Sequence, residues 1–175
     1  MAEGEFHESL NLAALWNLPV VFCCENNLYA MGTALARSES QMHLSIKAAS
    51  YEVPSWSIDG MDVEAVNNAA VNAIAMGRGG GPAFLEFRTY RFRAHSMYDP
   101  DLYRDKAEIE RWKERDPIEL FAASLAAKGQ IDDVARQKIE DAVADEIDDA
   151  VAFAEASPLE AVEDLTRYVT SEHRR

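Results

Sequence analysis

The sequence predicts an α/β fold: a mostly parallel sheet flanked by helices, followed by a helical C-terminal segment. Three observations carry this. Two short apolar-rich runs, VVFCC at residues 20–24 and PAFLEF at 82–87, read as strands. Stretches of helical period precede and separate them, the alternation that gives parallel sheets with right-handed crossovers. Beyond residue 105 the pattern turns wholly helical. The expected division is an α/β part over 1–105 and a helical extension over 106–175 packed on it.

The elements follow in order. Residues 5–16 place Phe6, Leu10, Ala13 and Ala14 on one helical face. Pro19 ends that segment, and the run at 20–24 is continuous and β-branched at its start, the pattern of a strand buried on both faces. Residues 45–51 allow a short helix, and 53–58 alternate around Pro54 and Trp56 before the Asp59-Gly60 turn. Asp62 can cap a helix whose Val63, Val66, Ala70 and Ile74 form an apolar stripe. Gly77 and Gly79 to Gly81 stop it, and the strand at 82–87 follows. Residues 106–113, 117–127 and 131–156 read as helices, the last with a stripe of Ile131, Val134, Val143, Ile147 and Val151.

Composition narrows the function. The 175 residues are 48% hydrophobic and 27% charged, a globular balance. A net charge of −14 argues against a coat for nucleic acid or anionic lipid. The apolar runs are far below the ~18 residues of a membrane span, and no secretory leader pattern opens the sequence. Cys23 and Cys24 are neighbours that a strand would point to opposite faces, so two buried free thiols are expected, in a reducing compartment. Residues 131–175 hold thirteen acids and five bases. They form either a solvated face or a surface for a basic partner.

Chemistry is expected where strands end, because ligands of open α/β sheets bind at the carboxyl edge. Asn26-Asn27 closes the first run; it is either a simple turn or a source of oxygen ligands for a hard cation such as Mg²⁺. Between Glu86 and Asp99 there is no acid, while Arg88, Arg91, Arg93 and His95 fall in that window. Such a loop either attracts phosphate or carboxylate or pairs with the acidic helices. His95 can donate to a phosphate or move a proton near neutrality. Gly79 to Gly81 is a weak phosphate-loop candidate, since no helix opens directly after it. The sequence has no GxxxxGK[ST], GxSxG, HExxH or GxGxxG, and its four histidines lack metal-ligand spacing.

Four segments together carry a resemblance: EGEFHESLNLAALWNLPVVFCCENNLYAMGT, IDGMDVEAV, GPAFLEFRTYRFRAHSMYDPDLYR, and the DPI after a charged helix. They resemble the alpha subunits of thiamine-diphosphate-dependent 2-oxo acid dehydrogenases, with AHSMYDP favouring the pyruvate dehydrogenase type. The resemblance implies a partial thiamine-diphosphate-binding fold. It implies Mg²⁺ held by the Asn27 side chain and the Tyr29 carbonyl beside the diphosphate. It puts His95, as the catalytic residue, and Arg91 at the diphosphate and the active-site mouth. Ser96 matches a position that is phosphorylated in mitochondrial members.

The same resemblance implies oxidative decarboxylation of pyruvate, with the acetyl group passed to lipoyl groups of the acyltransferase component. The implied partners are a beta subunit, that acyltransferase and pyruvate, in an oligomer; no nucleic acid or membrane is expected. The implied compartment is a bacterial-type cytoplasm, ahead of a mitochondrial matrix. The family's cofactor motif begins with Gly-Asp-Gly, which this sequence lacks; Met1 falls inside the motif and Gly4 in its trailing part. The sequence therefore reads as the C-terminal half of an alpha subunit, without decarboxylase activity by itself. The alternatives are a branched-chain 2-oxo acid or acetoin dehydrogenase alpha subunit, or a non-catalytic interaction fragment.

Overall fold

The computed structural model describes residues 1–169. It divides into two compact units, Met1–Ala127 and the stretch from Lys128 onward. The first opens with α1 (Gly4–Leu15), which buries Leu10 and Ala13. Next come β1 (Val21–Asn26), a small antiparallel hairpin of β2 (Tyr29–Ala30) and β3 (Thr33–Ala34), and the short helices α2 (Leu35–Ser38) and α3 (Leu44–Ala49). Strand β4 (Ser55–Asp59), helix α4 (Val63–Arg78) and strand β5 (Ala83–Arg88) complete the α/β part, and α5 (Lys106–Lys113) and α6 (Pro117–Ala127) end the unit. The hairpin and α2 have no counterpart in the sequence reading; α5 and α6 have the expected bounds.

The main sheet has the order β1-β5-β4, and both pairings are parallel. The sheet with helices beside it is the predicted α/β class. The central strand is β5, whose Ala83, Phe84, Leu85 and Glu86 are all buried. On one face Leu10, Ala48, Val53 and Phe84 form a core, with Phe6, Ala14, Phe22 and Tyr51 packed against it. On the other, Ala73, Ala83 and Leu85 pack with Val21, Ile58, Ala69 and Phe87.

Two expectations are corrected. The first apolar run is not buried on both faces: β1 lies at an edge of the sheet and Cys23 is exposed, so only one of the two free thiols is sheltered. The doubly covered position belongs to β5 instead. Cys24 is pushed up to about 11 by burial, with the nearby Glu86 acting in the same direction. The second correction concerns α4. Asp62 caps it as expected, its Oδ1 accepting from Ala65 N at 3.0 Å. Yet Val63 and Ile74 of the expected stripe are exposed, and the buried residues are Ala73 and Gly77. Small residues let the helix lie close on the sheet: a Cβ on Gly77 would stand 3.6 Å from Val21 Cγ2.

In the second unit, α7 (Asp133–Ala156) starts at Asp132, whose Oδ1 accepts from Ala135 N at 2.7 Å. Arg136 pairs with Glu140 one turn on, at 2.9 Å. A 3₁₀ turn covers Val162–Asp164. Among the described residues no helix is long and apolar enough to cross a membrane.

Candidate functional site

Parallel strands bring their carboxyl ends to one edge. Asn26, Arg88 and Asp59 are register partners there, and the turns that leave them hold the residues expected to meet a ligand. The Asn-Asn pair divides its work. Asn26 is buried; its Nδ2 donates to Glu86 Oε1 at 2.8 Å and its Oδ1 accepts from Leu28 N at 3.2 Å. Glu86 is 1% exposed, and its Oε2 accepts from Ser45 N at 3.0 Å. Asn27 is only half-buried, and its Oδ1 accepts from Tyr29 N at 3.3 Å. Between them Leu28 has φ 70°, a left-handed backbone that costs a branched side chain of order 1–2 kcal/mol. The Leu28 carbonyl is held by Leu35 N at 2.8 Å.

The segment 89–105 leaves β5 and is organised by a residue the sequence reading did not single out. The Arg104 side chain is 3% exposed. Its Nε and Nη2 meet the two carboxyl oxygens of Asp101 at 2.6 and 2.9 Å. Its Nη1 donates to the Arg91 carbonyl at 2.6 Å and its Nη2 to that of Phe92 at 3.2 Å. The guanidinium also lies over the rings of Tyr90, Tyr29 and Tyr103, at 5.3, 5.9 and 5.9 Å. The fork to Asp101 is the main cause that raises Arg104 above its usual range, and it holds Asp101 below the usual carboxylate range. Asp99 is lowered too, chiefly by the Asp101 backbone N–H, and it also accepts from Tyr103.

Helix α5 supports this arrangement from outside. Glu108 accepts from the Tyr29 hydroxyl at 3.0 Å and the Tyr90 hydroxyl at 2.9 Å, and Trp112 stacks on Tyr90 with centroids 5.1 Å apart. Burial, then the bond to Glu108, push Tyr90 up to about 12. No spacing in the sequence announces Arg104 or Glu108 as the supports of residues so distant along the chain.

Asn27, Tyr29, Arg91 and His95 come together on one cavity of about 60 Å³, which Met31, Arg93, Tyr103 and Arg104 also line. Arg91 Nη2 donates to the His95 carbonyl at 3.2 Å, and His95 N to Asp99 Oδ2 at 3.4 Å. Arg91, Arg93 and His95 are exposed, and among the described residues none of the three side chains is in an ion pair. Arg93 belongs with the residues expected there; its place in the acid-free window was the signal. Asn27 and Tyr29 also line a second space of about 310 Å³, shared with Met1, Glu3, Glu39 and Leu44. A cleft of about 650 Å³ lies at the opposite, amino edge of the sheet, against Gly79 to Gly81; it has no cationic side chain. Those glycines close the C-terminal end of α4, where the helix dipole is negative, so they do not form a phosphate loop.

Among the described residues no group of three or more His, Cys, Asp or Glu side chains can hold a metal. The neutral oxygens of Asn27 and Tyr29 suit Mg²⁺, which takes few protein oxygens and fills its shell with phosphate and water. They make a partial donor set.

Over residues 1–163 the sequence matches the family described as Dehydrogenase E1 component. The chain belongs to this family. It is similar to the pyruvate dehydrogenase E1 component subunit alpha of Rhizobium meliloti, 44% identical over 93% of this chain and 47% of that protein. The proteins of the same name from Zymomonas mobilis and Porphyra purpurea are 41% and 38% identical; the matches cover 93% and 97% of this chain and 46% and 50% of theirs. The chain spans about half the length of the curated relatives it matches. The resemblance read from ENNLYAMGT and AHSMYDP is therefore matched by whole-chain similarity within this E1 family.

Proposed function

We propose that the chain forms the carboxyl-edge half of the cofactor site in an alpha subunit that decarboxylates pyruvate oxidatively. The observation that carries this reading is the meeting of Asn27, Tyr29, Arg91 and His95 on one cavity in a chain of the E1 family. Asn27 Oδ1 and the Tyr29 carbonyl would ligate Mg²⁺. Arg91 would face the diphosphate, a fork-shaped donor to a phosphate oxygen pair. His95 would donate to the phosphate or hold a proton at the mouth. Thiamine diphosphate, when bound, supplies the electron sink for breaking the carbon–carboxylate bond. The proposed partners are a beta subunit, the lipoyl acyltransferase that receives the acetyl group, and a segment supplying the rest of the metal shell. Relatives named for pyruvate dehydrogenase favour pyruvate over branched-chain acids and acetoin, and the bacterial ones favour the cytoplasm.

The test is turnover in a complex assembled from this chain, a beta subunit and the section that completes the alpha subunit. His95→Ala should lower pyruvate decarboxylation by about 100-fold, while the exposed position leaves the melting temperature unchanged. Wild-type kinetics in His95→Ala and Arg91→Ala together would remove this cavity from the reaction.

A further inference from the structure

The Asn27 turn rests on a group that is unusual for its place. Glu86 sits on the central strand, 1% exposed, directly after the buried Ala83, Phe84 and Leu85. An apolar side chain would suit that position better, since strands covered on both faces are near-continuous hydrophobic runs. Both carboxyl oxygens instead accept from N–H donors, Oε1 from Asn26 Nδ2 and Oε2 from Ser45 N. Two acceptors face two donors, and only a carboxyl group of this length offers both; a carboxamide offers one acceptor and one donor.

The Asn26 carboxamide, once oriented by Glu86, turns its oxygen to Leu28 N. Leu28 is the residue with φ 70°. A left-handed branched residue persists where its surroundings over-determine it, and such strain gathers at functional sites. Here the determinants form a chain from the core outward: Ser45 N, Glu86, Asn26, Leu28, and then Leu35 N on the Leu28 carbonyl.

We propose that Glu86 is a positioning residue: through Asn26 it holds Leu28 left-handed and so fixes the backbone that carries the Asn27 carboxamide and the Tyr29 carbonyl. This rests on the reading of that turn as the Mg²⁺-binding element. The chemistry supplies its own rescue. In Glu86→Gln one donor faces another. In the double variant Asn26→Asp with Glu86→Gln, the glutamine amide donates to the aspartate, the glutamine oxygen accepts from Ser45 N, and the aspartate still accepts from Leu28 N. Every bond is restored with the polarity of one reversed and net charge unchanged.

The experiment is amide hydrogen exchange on the full 175-residue chain, comparing Leu28, Tyr29 and Leu35 with the amides of α4. Glu86→Gln should speed exchange at the three turn amides by about tenfold, the equivalent of one lost hydrogen bond, and leave α4 protected. The double variant should return them to wild-type rates. Should Glu86→Gln fail to fold, Asn26→Asp alone sets one acceptor against another at Glu86, cutting the same link while keeping the Glu86–Ser45 bond and an acceptor for Leu28 N, and the same local acceleration is expected. Unchanged turn exchange in a folded single variant, or loss of protection in α4 to the same degree, or a folded double variant without restoration, overturns the proposal. Mn²⁺ added alone to the wild-type chain assembled with the section that completes the alpha subunit tests the metal reading separately. Line broadening at Asn27 and Tyr29 supports it; no broadening removes it, while the exchange result still decides the role of Glu86.

Discussion

Two segments leave the same sheet edge and are held in opposite ways. The Asn27 turn is short and fixed from below, by a buried carboxyl group of the central strand and a carboxamide one position away. The segment 89–105 is long and fixed from within, by one guanidinium that gathers Asp101 and the carbonyls of Arg91 and Phe92. The first arrangement ties the turn directly to the core. The second lets Arg91, Arg93 and His95 stand in solvent on a frame held by its own residues, which should loosen without unfolding the sheet. The difference teaches that two elements lining one cavity can be anchored independently, and the contrast predicts that they open as separate cooperative units.

Arg104→Ala should break the comparison most strongly. It leaves Asp101 and two carbonyls without their donor and removes a guanidinium whose side chain is 3% exposed. Breaking a buried pair in this way costs about 3 kcal/mol. Trypsin should then cut after Arg91 and Arg93 at concentrations that spare the wild type, while amides of β5 keep their protection. Arg104→Lys restores the charge without the fork and should behave nearly as the alanine variant does. Equal cleavage and an equal unfolding midpoint for wild type and Arg104→Ala would mean that Arg104 does not organise this segment.

Gly60→Ala approaches the same segment from its root. Gly60 N donates to the Arg88 carbonyl at 2.9 Å, tying the turn after β4 to the end of β5. A Cβ there would lie 2.4 Å from Thr89 Cγ2 and 3.0 Å from that carbonyl. Overpacking of this kind costs about 2 kcal/mol. Thr89→Ser removes the nearer obstacle, so the double variant should recover about half of the loss in a denaturant titration. A Gly60→Ala chain as stable as the wild type would show that the β4 turn moves freely against β5.

What the sequence disclosed follows from how local each signal is. Helices α5 and α6 were legible as helical stretches because such a pattern is local; in the structure Asp105 caps one and Pro117 opens the other. Strand β1 was legible as a strand and misread as doubly buried, because VVFCC has the composition of a central strand while its place in the order is decided by β5 and β4. The face of α4 was misread because apolar size was counted, and the helix instead buries Ala73 and Gly77 where it lies close to Val21. Asn27 and the basic window were visible as residue types at strand ends. The Glu86–Asn26 bond spans 60 residues of chain, and Arg104 acts on the Tyr29 ring from the far end of another loop. No periodicity or spacing encodes either.

The smallest expected effect is a pH dependence confined to the longer segment. Asp101 and Asp99 are both held below the usual carboxylate range, Asp101 chiefly by Arg104 and Asp99 chiefly by the Asp101 backbone N–H. A carboxyl group whose folded value is depressed stabilises the fold above its unfolded value, near 4, and loses that contribution as pH falls through the folded value. Protection of the amides in 89–105 should therefore be level from neutrality to about pH 4 and decline only in stronger acid. Both carboxyls are half-buried and partly open to solvent, so screening keeps the effect modest. Hydrogen exchange corrected for its intrinsic pH dependence measures it, with Leu28 and Tyr29 as the reference. Asp101→Asn should flatten the decline, because the segment is already loosened at neutral pH. A decline centred above pH 5, or turn and loop losing protection together, would show that the two segments are one cooperative unit and that the contrast between them is wrong.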